Sequence, residues 1–402
     1  MGCRQALPIK ASLRWPLALL ASYVVVAVFG AFVLPQLFAG TPVHLLVAMY
    51  GAEVAPVPLY PTLSNTVQAI NLCLQCGVLL YMLAAVRTHG ARQRLTAGVV
   101  LACILVMAVG FYEQLVSFKK LPSLIPTLAN NPGYIQAPFA HMGFELNRVG
   151  LPFSEPSYAS AYMAAMAVGV AAVALLGRGW WWAWPAAFLC VAGWINTFGS
   201  TGLVAGAVSF GVLLLCVVVI ALQPGTNWTR RWRASLLCAL LLIVSIWGVQ
   251  AFKVSTYRPH VDSMVQFLII DKIKQTNGVR EKSNYRALEI VKETYGFGVG
   301  LGSNRASSFV ASMVSNTGVL GLALFAAMLC SLLWRYVQAP VLSDMQIFVA
   351  AALPAATLAM GLGIPDLNMP MYWGFIILGF VFCPGNEADD KEAGDECPPA
   401  RA

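Results

Sequence analysis

Apolar residues in this chain come in long unbroken runs, split by short polar stretches, rather than in the alternation of a half-buried strand. The runs fall near 15–38, 65–86, 95–116, 157–176, 180–198, 201–222, 234–251, 306–334, 345–363 and 371–384. About 20 apolar residues cross a bilayer as a helix. The pattern therefore predicts an all-α, polytopic integral membrane protein of about ten transmembrane helices, forming one domain over 1–384. A short acidic tail, 385–402, is expected to be disordered and cytoplasmic. The first run, Trp15 to Phe38, is too long for the apolar part of a cleavable signal and lacks an A-x-A site.

Composition strengthens that picture. Only 10% of residues are charged and 59% are hydrophobic, against about 25% charged in a soluble domain. A soluble globular enzyme, a disordered regulator and a secreted disulfide scaffold are all excluded. Eight of the ten cysteines (Cys73, Cys76, Cys103, Cys190, Cys216, Cys238, Cys330 and Cys383) fall inside apolar runs and read as small core residues. Cys73 and Cys76 imitate half of a metal site, but no second pair completes it, so neither metal nor cofactor is expected. The net charge of +8 comes without a nucleic-acid-binding motif. Anionic membrane lipids are the simpler partner, and no nucleic acid is expected.

Placement of charge sets the orientation. An even number of spans puts both termini on one side, where the short connections carry Arg4, Lys10, Arg14, Arg87, Arg92, Arg94, Arg178, Arg230, Arg231, Arg233 and Arg335. Short basic loops belong in the cytoplasm. Two longer connections, near 117–156 and 252–305, then face outward. The second holds nine basic and five acidic side chains, a net +4 that runs against the usual bias. Anion binding explains it most economically; a merely solvated loop is the alternative. Within it Val265, Leu268, Ile269 and Ile273 form an amphipathic stripe suited to the outer interface. A second helical pattern from Ser283 to Tyr295 carries Arg286, and Gly296, Gly298, Gly300 and Gly302 end it. Glycines allow backbone N–H groups to come close to a ligand, although such a run is more often only a turn.

The first loop ends in a dense cluster: His141, Glu145, Arg148, Glu155, Pro156 and Ser157. Pro156 suits the first turn of the next helix, and Glu155 would sit at its N-terminus, as a simple cap or as a working carboxylate. Ser157, Ala161, Ala165 and Gly169 form a small-residue face for close helix packing. Glu113 is nearly the only ionisable residue inside a span, and coupled transporters usually carry more. Chemistry at the outer surface fits better than transport through the bundle.

These residues resemble a known family. Asn147-Arg148-Val149-Gly150 followed by Phe153-Ser154-Glu155-Pro156-Ser157 is similar to the Arg…Gly…EP(N/S) passage of O-antigen polymerase and ligase proteins. Ser200-Thr201-Gly202-Leu203 resembles a central-helix motif of the same family. Arg286-Ala287-Leu288-Glu289, then Gly296-Phe297-Gly298-Val299-Gly300-Leu301-Gly302-Ser303, resembles its R-x-x…G-x-G-x-G passage, and Asn316-Thr317-Gly318-Val319-Leu320-Gly321 the motif opening the next span. The matches keep family order from about residue 145 to 325.

The resemblance implies a membrane glycosyltransferase fold of the GT-C-like type in a bacterial inner membrane, its active site on the periplasmic side. It implies a Wzy-type polymerase joining oligosaccharide repeat units carried on undecaprenyl pyrophosphate, for O-antigen or exopolysaccharide, with a chain-length regulator as a further partner. Arg148 and Arg286 are the arginines it assigns to the pyrophosphate; Arg258, Arg280 and Arg305 stand nearby. Arginine's planar fork suits that group. Glu155, with His260 or His141 as options, is the candidate for the acceptor's proton. Ligases of the family carry a histidine soon after the Gly-rich passage, where this chain has Ser307 and Ser308, which favours polymerase. An O-antigen ligase and a non-enzymatic flippase for lipid-linked sugars are the alternatives.

Overall fold

A computed structural model describes residues 11–44, 55–119, 121–124, 140–141, 144–145, 153, 156–177, 183–197, 199–222 and 272–385. Among them are ten α-helices: α1 Arg14–Leu37, α2 Leu63–Ala85, α3 His89–Lys119, α4 Pro156–Leu176, α5 Ala183–Asn196, α6 Ser200–Leu222, α7 Lys272–Glu293, α8 Phe309–Gln338, α9 Asp344–Gly363 and α10 Pro370–Val381. Two short antiparallel pairings lie between helices. β1 (Pro42–Val43) pairs with β2 (Val57–Pro58), Pro42 opposite Pro58, and β3 (Ala140–His141) pairs with β4 (Phe144–Glu145).

Nine of the expected spans coincide with helices, their edges differing by at most six residues; the remaining one, 234–251, lies outside the described residues. Seven helices (α1, α2, α3, α4, α6, α8 and α9) are long and apolar enough to cross a membrane. Two expected spans are shorter. The 12 residues of α10 rise about 18 Å at 1.5 Å per residue, well short of the roughly 30 Å hydrocarbon core. The 14 residues of α5 rise about 21 Å. The remaining helix, α7, is polar and begins at Lys272, earlier than the expected Ser283, so that Ile273 falls in its first turn. The rest of the stripe from Val265 lies outside the described residues.

Several helices leave much of their apolar surface uncovered. Val25 and Phe29 of α1, Leu74 and Tyr81 of α2, Ile104 and Leu105 of α3, and Leu215 of α6 all point outward and are exposed. Soluble monomers rarely leave contiguous apolar areas beyond a few hundred Å². These outward bands are compatible with a multi-pass membrane protein.

α4 is the hub of the fold. It is apolar all round and buried along nearly its whole length, as a helix with that pattern should be. α5, α6 and α9 pack around it. The small-residue face does what its spacing predicts: a Cβ on Gly169 would stand 2.7 Å from the Phe348 ring of α9. A second centre forms where α1 meets α8, with Tyr23, Phe309, Phe325 and Tyr372 in edge and tilted ring contacts 5.2–6.3 Å apart.

Candidate functional site

At the end of the bundle where α1 finishes and α2 and α8 begin, four stretches distant in sequence meet: the β1–β2 connection, the start of α2, α7 with its glycine passage, and the first half of α8. The joint is built on a break in α8. Ser308 caps that helix, its Oγ accepting from the Ala311 N–H. At Gly318, φ 74° and ψ 179° interrupt it. In a regular helix the Val319 N–H would return to the Ser315 carbonyl. Here it donates to Gly296 O (2.9 Å), which leaves the Ser315 and Asn316 carbonyls to accept from the N–H groups of Val299 and Gly300 (2.9 Å each). The glycine passage is thus hydrogen-bonded along the opened helix.

Two buried asparagines lock it there. Asn316 Oδ1 accepts from the Ser303 and Asn304 N–H groups (3.0 Å each), and its Nδ2 donates to the carbonyls of Asn304 (2.6 Å) and Ser312 (2.7 Å). All four sites of that amide are in use. Asn65 Oδ1 accepts from the Thr62 N–H at the start of α2, while its Nδ2 donates to Leu301 O (2.8 Å) and Ser303 Oγ (2.7 Å). The same side chain therefore caps α2 and holds the loop.

Gly296, Gly298, Gly300 and Gly302 all have positive φ, between 81° and 95°. At Gly298, Gly300 and Gly302 close approach to protein also excludes a side chain. A Cβ on Gly300 would stand 2.7 Å from Gly30 O and 2.8 Å from Pro35 Cδ of α1, and one on Gly302 2.8 Å from Ser64 O of α2. The expectation that these glycines offer N–H groups to a ligand is corrected at three positions, the Gly296 N–H going to Val291 O. Gly300 N–H goes to Asn316 O, and Gly298 N–H to Thr294 Oγ1 at 3.0 Å.

α7 runs alongside the first half of α8. Ser307 N–H donates to Asn284 Oδ1, Ala287 packs with Ala306 and Ala311, and Ile290 joins Val43, Leu59 and Val299 in a small apolar core. This frame places Arg286. Its Nη1 and Nη2 take both oxygens of Glu293 (2.8 and 2.7 Å), Nη1 also reaches Glu289 (2.9 Å), and Nε donates to Pro42 O (3.0 Å). Only 15% of the side chain remains exposed. The Glu293 hydrogen bonds hold its pKa above the ordinary arginine value against the opposing effect of partial burial, with Glu289 adding to them. The guanidinium is the centre of a group carrying one positive and two negative charges, not an isolated cation. Arg305 is exposed on the same unit, its N–H anchored on His44 O (2.8 Å).

Of the other expected site residues, Arg280 lies on α7 with its side chain outside the description, and His141 and Glu145 are described as backbone in β3 and β4. Arg148, Glu155, Arg258 and His260 lie outside the described residues. The Ser200–Leu203 motif opens α6 and serves packing: Ser160 Oγ donates to Gly199 O and Trp194 Nε1 to Gly202 O (2.9 Å each).

Other contacts at this end join residues whose partners no sequence pattern identifies. In the proline-rich stretch carrying β1 and β2, Val43 and Leu59 are buried and Val57 packs against them, and those apolar positions are the sequence signal for a packed segment. Glu113, at the far end of α3, is buried; its Oε1 accepts from the Leu124 N–H (2.7 Å) and Oε2 from Ser123 Oγ (2.8 Å). Between α9 and α10, Asp366 accepts from the Asn368 N–H, and Asn368 Nδ2 donates to Gln68 O and Gln68 Oε1 of α2. No pattern in the chain announces these long-range pairings. Among the described residues no group of His, Cys, Asp and Glu is arranged to hold a metal ion. No protein-family model, curated protein or solved structure matches this chain.

Proposed function

We propose that this protein is a polysaccharide polymerase of the bacterial inner membrane, with a GT-C-like fold, joining oligosaccharide repeat units carried on undecaprenyl pyrophosphate at the periplasmic face. One observation carries the reading. The Arg286, Gly-rich and Asn316-Gly318 passages that resemble the polymerase family form one interlocked unit at a single end of the bundle, and this unit mounts both Arg286 and Arg305. In the reaction an acceptor hydroxyl attacks the anomeric carbon of the donor sugar. The bond from that carbon to the diphosphate breaks, the diphosphate leaves with the electron pair, and the hydroxyl proton passes to a base, for which Glu155 is the motif-matched residue.

The role of the arginines is to stabilise charge developing on the leaving group. Arg305 meets the diphosphate first, being exposed. Arg286 engages it by exchanging the Glu289 and Glu293 oxygens for phosphate oxygens, the carboxylates holding the fork in orientation until then. The test is to incubate purified protein with a synthetic lipid-linked repeat unit. A product ladder is expected. Transfer of a single preformed glycan to a different acceptor would instead indicate a ligase, and movement across a vesicle without bond formation a flippase. Arg286→Lys should lower kcat/KM about 10- to 100-fold, since each lost charge-assisted hydrogen bond is worth roughly 1.5–3 kcal/mol. Glu293→Gln should lower KM for the donor, because it removes a competing anion. Full turnover by the lysine variant would remove Arg286 from the chemistry.

A further inference from the structure

The turn that joins α7 to the glycine passage has a feature its own fold does not explain. α7 ends in a Schellman arrangement, the Gly296 N–H returning to Val291 O (2.7 Å) and the Tyr295 N–H to Lys292 O (3.2 Å). The residue at the left-handed position is normally glycine. Here it is Tyr295, at φ 51° and the only non-glycine residue with positive φ among those described. That conformation costs a side-chain-bearing residue about 1–2 kcal/mol. The Tyr295 ring is 86% exposed, so packing within the protein does little to offset the cost, and Phe297, two residues on, is 62% exposed.

The position of the turn indicates what covers these rings. Gly296 O is tied to the Val319 N–H, at the point where α8 changes character. From Ala311 to Gly318 every residue of α8 is buried, whereas Val319 and Leu320 are exposed, at 53% and 59%. Below that point α8 turns its outward apolar residues away from the protein, in a helix long enough to cross a bilayer. Tyr295 and Phe297, exposed on either side of Gly296, therefore flank the level at which the exposed apolar residues of α8 begin. Aromatic side chains concentrate at that level of a membrane, where the ring meets the acyl boundary and a phenol hydroxyl reaches water. Lys292, exposed one turn higher on α7, is at the height for a lipid phosphate.

We propose that Tyr295 and Phe297 form a membrane anchor, inserted in the interfacial layer of the leaflet at this end of the bundle, with Lys292 on the headgroup phosphates. The anchor sets the depth of α7. Nine residues separate Tyr295 from Arg286 in sequence, which at 1.5 Å per residue holds the Arg286 cluster about 14 Å further out, above the acyl boundary. This inference rests on the membrane character of the chain and not on the polymerase reading.

The test is photo-crosslinking in the full-length protein, reconstituted in nanodiscs of phosphatidylethanolamine and phosphatidylglycerol. A benzophenone amino acid replaces Tyr295, Phe297, Tyr285 or Leu105 one at a time, and adducts are identified by mass spectrometry. Leu105, exposed in the middle of α3, is the control for lipid contact. Tyr285, exposed and ten residues up α7, is the control for an aqueous position. Lipid adducts are expected at 295, 297 and 105, and near-absence at 285. Adducts at 105 but not at 295 or 297 would overturn the anchor. So would equal lipid labelling at 285, which would lay α7 flat on the membrane, or crosslinks from 295 to a second copy of the chain. Failure at all four positions would overturn the anchor together with the membrane reading.

Discussion

Gly300 shows how much of this site is decided by single atoms. Its φ of 95° and the 2.7 Å from its would-be Cβ to Gly30 O act together. Gly300→Ala would have to move backbone on α1 as well as adopt a left-handed conformation, at a cost of order 1–3 kcal/mol for the strain alone. Thermal unfolding in detergent should therefore fall by several degrees. Gly211→Ala, inside α6 with nothing within 4 Å of the added methyl, should leave it unchanged or raise it, since alanine is favoured by about 0.5–1 kcal/mol in a helix. Equal melting points would remove the close approach. Arg286 gives a prediction of sign rather than size. Its pKa is raised by Glu293, so its share of stability is complete below the ordinary arginine range and is lost only as pH rises through the folded value. Any fall in activity of the native protein between pH 5 and pH 9 thus belongs to other groups, and a pH profile retained in Arg286→Lys, at lower amplitude, is the expected result.

The elements are held by two kinds of contact, and the sequence makes only one of them visible. Apolar runs announce α1 to α6 and α8 to α10 because a helix in an apolar medium needs no partner to satisfy its backbone. Which helices touch is another matter. Cys103 of α3 and Cys190 of α5 bring their sulfurs within 3.7 Å, 87 residues apart in the chain; nothing in either run distinguishes these cysteines from Cys216 or Cys330. Copper-phenanthroline treatment of the membrane-embedded protein should yield a Cys103–Cys190 disulfide, detected as a linked peptide pair by mass spectrometry. A product dominated by other pairs would reject the α3–α5 packing. The glycine passage teaches the same lesson from the opposite side. Its alternating glycines are legible as an interruption of the helical pattern, which by itself leaves a ligand-binding loop and a simple turn both open. The structure shows where three of their N–H groups go: Gly300 to Asn316 O of the opened α8, and Gly298 and Gly296 to Thr294 Oγ1 and Val291 O at the end of α7.

For the molecule as a whole the testable quantity is which side each connection occupies. Arg14, Arg87, Arg92 and Arg94 lie at one set of helix ends, and the β1–β2 connection, the glycine passage and the α9–α10 turn at the other. Reporter fusions after Arg87 and Arg335 should report the cytoplasm, and those after Phe38 and Gly363 the opposite side; agreement of all four in one compartment would reject the up-and-down arrangement. The amino-acid sequence by itself determined the helical class and the places of nine apolar helices within the described residues, seven of them long enough to cross a membrane, because a helix satisfies its backbone locally, run by run. It also marked Arg286, the glycines and Asn316-Gly318 as belonging together in order. Tertiary structure alone decided that Arg286 is clasped by Glu289, Glu293 and the Pro42 carbonyl, and that Asn65 and Asn316 carry the joint. It alone left Tyr295 and Phe297 exposed on either side of the Gly296 carbonyl that is tied to Val319 of α8. Those outcomes depend on hydrogen bonds and contacts between residues up to 244 positions apart, whose energies exist only once the bundle has brought the partners to one end.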